Sequence, residues 1–173
     1  MRETSAVHED LSDIRSGAKD ARFSDPAAAR KKAMDYLARR EHSREELRKK
    51  MQKAGFDCNV ALDAIEELRK DGLQSDKRFV EAFVQSRISH GKGPRIIRAD
   101  LSQRGVRDPV IHEALVEVTA DWVALARETR LKKFGDELPQ EFKEKARQMR
   151  FLQSRGFEPD QIQAAVGEGD VER

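Results

Sequence analysis

Apolar residues along this chain recur three and four positions apart, in short stripes broken by charged turns. Nowhere do they alternate as a strand would require. Ala29, Ala33, Tyr36 and Leu37, with Arg40 on the same face, predict a first helix. Before it, Ser24-Asp25-Pro26 supplies a capping residue and a proline suited to a first turn. Leu47, Met51 and Ala54 predict a second helix, opened by the capping box Ser43-Arg44-Glu45-Glu46 and stopped at Gly55, where a left-handed residue is wanted. Val60, Ala61, Ala64, Ile65 and Leu68 predict a third helix, running from a cap at Asp57 to Asp71-Gly72.

The plan then returns twice, about fifty residues apart each time. Met51, Leu101 and Leu152 fall into register, as do Gly55, Gly105 and Gly156, and then Phe56, Val106 and Phe157. In the second unit Phe79, Val80, Phe83, Val84 and Ile88 form the strongest apolar stripe. Ile96, Ile97 and Leu101 face inward from the next helix, and Asp108-Pro109 opens a third that buries Val110, Ile111, Ala114, Leu115 and Val118. The third unit is looser. Trp122, Val123, Leu125 and Ala126 begin it, a longer loop runs from Phe134 to Pro139, and Phe142, Ala146, Met149 and Leu152 lead to Phe157, Ile162, Ala165 and Val166. The loop predicts that unit three can swing relative to unit two. The fold class is therefore all-α: three tandem three-helix repeats over 26–74, 75–120 and 121–173, preceded by a flexible arm over 1–25. A short helix around Asp10–Arg15 is compatible with that arm.

Composition favours a surface-rich helical array, since 38% of residues are charged and only 38% hydrophobic. Net charge is +2, unevenly placed. Lys and Arg outnumber Asp and Glu by 12 to 9 in 26–75 and by 8 to 6 in 76–120, while the flanks lean acidic, with Asp160, Glu168, Asp170 and Glu172 in the tail. Cys58 is alone, which excludes an internal disulfide and a cysteine-based zinc site. No apolar run is long enough to cross a bilayer and the N-terminus lacks a secretory core, so a cytoplasmic protein is expected.

Catalytic chemistry finds little support. His8, His42, His90 and His112 show no metal-ligand spacing, and His42 and His90 are expected to face solvent from loops. Gly91-Lys92-Gly93-Pro94 lacks the spacing of a phosphate loop, and its proline removes an amide donor, so it reads as a helix connector. Carboxylates alternate with bases on helices, with no desolvated acid/base pair, and a small hydrolase would need a polar pocket these residues do not assemble. No catalytic residue, metal or cofactor is expected.

Basic side chains are the better candidates. Arg39, Arg40, Arg44 and Arg48 gather at the first inter-helix junction, with Lys49 and Lys50 following. Arg87, Lys92, Arg95 and Arg98 occupy the matching place in unit two, and Arg130, Lys132, Lys133, Arg147 and Arg150 fall in unit three. Stacked junctions would make a discontinuous basic strip able to follow a phosphate backbone or acidic groups on a partner. Solubilising charge is the plainer reading of the same residues. Stacking aromatics are sparse, which disfavours sequence-specific base reading.

Leu37-Ala-Arg-Arg-Glu-His-Ser43, Glu46-Leu47, Gly55, Asp71-Gly72-Leu73 and Asp76-Lys-Arg-Phe79 form an ordered set. It continues with Phe83, Arg87, Gly91-Lys-Gly-Pro94, Ile97, Asp100-Leu101, Gly105-Val106, Arg150-Phe-Leu-Gln-Ser-Arg-Gly-Phe157 and Ile162. Together these residues, spanning roughly 29–166, resemble the RecX family of RecA regulators. The resemblance implies a curved, elongated monomer that lies in the groove of the RecA filament on single-stranded DNA. Such a protein curbs recombinase, ATP-hydrolysing and co-protease activities, and with them DNA repair and the SOS response. The alternative is a stand-alone protein that coats nucleic acid nonspecifically, which the near-neutral charge disfavours.

Overall fold

The computed structural model describes residues 21–167. The expected helix near Asp10–Arg15, His8, and the acidic tail residues Glu168, Asp170 and Glu172 lie outside the described residues. Among the described residues the elements are all helical. They are α1 (Pro26–Leu37), α2 (Arg44–Lys53), α3 (Cys58–Lys70), α4 (Asp76–Ser89), α5 (Pro94–Gln103), α6 (Asp108–Glu117), α7 (Trp122–Phe134), α8 (Phe142–Ser154) and α9 (Pro159–Val166). They fall into two compact units, one ending at Asp76 and one beginning at Lys77.

In the first unit α1, α2 and α3 pack on one another around Ala29, Ala33, Leu47, Met51, Ile65 and Leu68, all withdrawn from solvent. The caps are those the side chains suggest: Asp25 accepts from the Ala27 amide, Ser43 from Glu46, and Asp57 from Asn59. The packed structure begins earlier than the expected arm allows. Phe23 meets Phe56 edge to face with ring centroids 5.6 Å apart, and its carbonyl accepts from the Asp57 amide. Phe23 is half-buried against the core of the first repeat and its backbone is bonded there, so the packed structure reaches back to it.

In the second unit, α4 to α6 enclose Phe79, Val80, Val84, Ile97, Leu101, Val106 and Ile111, with Trp122 of α7 resting on that cluster. α7 to α9 enclose Ala126, Leu152, Phe157, Ile162 and Val166.

The three residues in register are the repeated device that ends α2, α5 and α8. Phe56 donates its amide to the Met51 carbonyl, Val106 to Leu101 and Phe157 to Leu152, at 3.2–3.3 Å. Between them Gly55, Gly105 and Gly156 take φ of +97°, +75° and +88°. This is a Schellman stop, in which a left-handed glycine turns the chain and the apolar residues before and after it meet in the core.

Repeats two and three, between which a swing is expected, meet through backbone hydrogen bonds. The Gly93 amide donates to the Arg155 carbonyl at 2.8 Å, and the Arg95 amide to the Gly156 carbonyl at 3.0 Å. Gly93 sits so close that a Cβ there would lie 2.4 Å from the Gly156 carbonyl carbon. The α7–α8 loop is held as well. Buried Arg130 donates to the Asp136 carbonyl at 3.3 Å, and to the Glu137 carbonyl and Gln148 Oε1 at 2.9 and 3.3 Å. A guanidinium carries enough donors to gather several carbonyls at once, which is how a loop of weak local propensity becomes ordered.

Candidate functional site

The eleven basic candidates separate by what already holds them. Arg40 reaches Glu46 at 3.0 Å and the Glu41 carbonyl at 2.8 Å. Arg48 grips Glu45 with two nitrogens at 2.7 and 2.8 Å, and this pair holds the Glu45 carboxyl below its ordinary range. Arg44 lies 3.7 Å from Glu66, while its backbone amide donates to Asp76 at 2.8 Å. Arg87 reaches Asp100 at 3.2 Å and lies over the Phe83 ring, 4.7 Å from its centroid. Arg95 is 3.9 Å from Glu158, and Lys132 is 2.6 Å from Glu128 one turn earlier on α7.

Arg39, Lys92, Arg98, Lys133 and Arg150 form no ion pair with another described residue. All but half-buried Lys92 are exposed. At least one such cation therefore stands in each repeat. Arg39 follows α1, Lys92 precedes α5 and Arg98 lies within it, Lys133 is in the last turn of α7, and Arg150 is on α8. Two further basic residues of the third repeat are structural instead. Arg130 is buried as described, and Arg147 pairs with Glu144 at 3.3 Å and stacks on Phe134.

His42 departs from expectation: it is buried, at 3% exposure. Its Nδ1 lies 2.9 Å from the Arg40 carbonyl, which can only accept, so the proton sits on Nδ1. Its own carbonyl accepts from Gln74 Nε2 at 3.3 Å. Burial, the largest influence, lowers its pKa below 6.5. His90 does face solvent, as expected. Sequence reasoning missed His42 and Arg130 because polar residues in or beside loops default to solvent, and their partners lie far along the chain or in the loop itself. Phe142 is the converse, expected on an apolar face and 88% exposed.

Among the described residues no group of three or more His, Cys, Asp or Glu side chains is placed to hold a metal ion, and no helix is long and apolar enough to cross a membrane. Cys58 is exposed.

Comparison with known proteins places the geometry. Residues 29–68 match the description "RecX, first three-helix domain", 75–115 the second and 120–166 the third. A regulatory protein RecX of Halorhodospira halophila is 44% identical over 143 residues, covering 83% of this chain and 89% of that protein. The chain belongs to the RecX family. A second RecX relative, from Ectopseudomonas mendocina, is 42% identical over 137 residues, covering 79% of this chain and 91% of its own length. The solved RecX of Lactobacillus salivarius shares the fold at 22% identity, with a TM-score of 0.67 over 82% of this chain and 94% of that one. Another solved regulatory protein RecX gives a TM-score of 0.68 at 23% identity, covering 93% of this chain and 78% of its own. These relatives carry the name of a regulatory protein.

Proposed function

We propose that this RecX-family chain is a negative modulator of RecA. It binds the RecA–single-stranded-DNA filament along its groove and inhibits recombinase, ATP-hydrolysing and co-protease activities, thereby restraining DNA repair and the SOS response. It is not an enzyme, it needs no cofactor, and it acts in the cytoplasm as a monomer. The observation that carries the reading is the set of cations with no carboxylate partner among the described residues, Arg39, Lys92, Arg98, Lys133 and Arg150, distributed over all three repeats. A filament offers the same acidic and phosphate groups at every subunit. Weak contacts at successive repeats then add through effective concentration rather than through a deep pocket. Arg40, Arg44, Arg48, Arg87, Arg95 and Lys132 are already matched by carboxylates and serve as secondary contacts.

The test is single-stranded-DNA-dependent ATP hydrolysis by the cognate RecA, with this protein titrated in well below the RecA concentration. Strong substoichiometric inhibition is expected. The variant Arg39→Glu/Arg98→Glu/Arg150→Glu should keep its helical circular dichroism and lose most of that inhibition. Inhibition that appears only when free DNA is sequestered would instead assign nonspecific nucleic-acid coating. Undiminished inhibition by the variant would remove these arginines from the contact.

A further inference from the structure

Within the second unit, repeats two and three leave an open cleft of about 400 Å³ between them. Lys132 and Lys133 come to it from the end of α7, Arg155 from the end of α8, and His90 from the α4–α5 loop. Ile88 and Phe151 supply apolar wall. We propose that this cleft holds the phosphate of a nucleotide unit, with its base or sugar against the apolar wall. In its strand form the proposal rests on the DNA contact of the preceding reading, and it assigns that contact a place.

Two lysines in the last turn of α7 have an ordinary explanation, since cations there offset the negative end of the helix dipole. Arg155, the C-cap of α8, has the same explanation, but helix dipoles do not require two helix ends to converge on one cleft, where Arg155 is spread over the Phe151 ring at 5.3 Å. Nor do they require the close approach of the third element. A Cβ at Gly91 would lie 2.8 Å from Thr129 Oγ1, so a side chain there would push the His90 loop off α7. Two helix ends thus bring cations to one cleft, and the α4–α5 loop sets His90 beside them. Against them the lining offers a single carboxylate, Glu128, which is engaged with Lys132 at 2.6 Å. Lys133 has no described carboxylate partner, so its charge and that of Arg155 remain for a ligand.

The size suits one nucleotide unit, since small-molecule sites begin at about 300 Å³. A planar guanidinium recognises a phosphate through paired donors, and an ammonium adds a mobile point charge. An apolar wall favours a nucleotide over a bare anion. The same chemistry can come from a free nucleoside triphosphate or from a single strand, and direct binding separates the two.

The experiment uses the full chain without RecA. A fluorescent oligothymidylate and a fluorescent nucleoside triphosphate are each titrated into the wild type, Lys133→Gln/Arg155→Gln and Lys133→Arg. The double variant is expected to bind its ligand at least tenfold more weakly at low salt. For the oligonucleotide the slope of log affinity against log salt should fall in magnitude by about 1.4, at about 0.7 for each of the two cations neutralised by substitution. Lys133→Arg should retain both values. An effect confined to the oligonucleotide assigns the strand, and one confined to the triphosphate assigns a free nucleotide. The proposal is overturned if the wild type binds neither probe, or if the folded double variant binds both as the wild type does. The RecA assay keeps the two readings apart. A wild type that inhibits RecA while the double variant binds both probes normally sinks the cleft alone. A wild type that does not inhibit, with probe binding abolished in the double variant, sinks the regulator alone.

Discussion

Replacing Gly93 with alanine tests the contact that joins repeats two and three. The added Cβ would stand 2.4 Å from both the carbonyl carbon and oxygen of Gly156 and 2.5 Å from the Phe157 nitrogen. All three are backbone atoms next to the fully buried Phe157, so no side chain can rotate away to make room. Ordinary contact requires the two loops to part by about 1 Å, which stretches the Gly93–Arg155 and Arg95–Gly156 hydrogen bonds beyond useful length. Losing two such bonds costs about 1 kcal/mol each. Forcing a methyl into a filled site adds about 1–3 kcal/mol, so the expected loss is about 3–5 kcal/mol. Backbone strain does not enter, because φ at Gly93 is −83°. Gly72→Ala supplies the opposite case, with φ of +72° and nothing within 4 Å of the new Cβ. Left-handed strain alone should cost it about 1–2 kcal/mol. Urea unfolding followed by Trp122 fluorescence reads Gly93→Ala, since Trp122 is the chain's single tryptophan and rests on the second unit's core; Gly72→Ala, in the first unit, is read by helical circular dichroism. Hydrogen exchange at the Gly93 and Arg95 amides reads the contact itself. A Gly93→Ala loss below about 1 kcal/mol with both amides still protected would refute the backbone contact.

Arg130→Met keeps much of the side chain's length but removes the donors to Asp136, Glu137 and Gln148. It should cost about 2–4 kcal/mol, given about 1.5–3 for each bond from a charged donor less the desolvation no longer required. A melting temperature within about a degree of the wild type would contradict this, since even 1 kcal/mol moves a domain of this size by several degrees. His42 has its pKa lowered by burial, so its contribution is fully present above pH 6.5 and is lost as pH falls through the folded-state pKa. Stability should therefore decline from pH 7 toward pH 5 more steeply in the wild type than in His42→Asn. Parallel denaturation curves across that window would show that His42 does not titrate as burial requires.

The parts legible in the sequence are those whose physics is local. Asp25, Ser43 and Asp57 cap the helices they precede, because a short polar side chain satisfies an amide two or three residues on. The register of Met51, Leu101 and Leu152 with the following glycines and apolar residues carries the threefold plan, since a Schellman stop compresses a core contact and a turn into six residues. Gly93 and Gly156 show where that reach ends. Each has a sufficient local reason to be glycine or to lie in a turn, and nothing nearby announces that they meet across more than sixty residues of chain. The α7–α8 loop is misleading on the same ground. Its polar residues suggest freedom, but the group that holds it is an arginine on the preceding helix. Among the basic candidates the sequence marks which are present, while only the fold distinguishes Arg130, committed to carbonyls, from Lys133 three residues later.

That distinction also ranks the candidates for binding a filament. An exposed ion pair contributes about 0–1 kcal/mol, so an arginine held by one carboxylate can exchange it for a phosphate at little cost. Arg40, Arg44, Arg95 and Lys132 are at least half exposed on their own side and fall in this class. Arg87 does not. Its side chain is two-thirds covered, lies over Phe83 and reaches Asp100, so drawing it outward would give up packing as well as charge. Arg48 is held almost as firmly, because a two-pronged grip on Glu45 fixes the whole guanidinium. Arg39, Arg98, Lys133 and Arg150 have no carboxylate among the described residues to surrender, only side-chain freedom. Charge reversal should therefore weaken filament binding most at these four, least at Arg87 and Arg48, and reversal at Arg87 should show itself first as lower stability of the second unit.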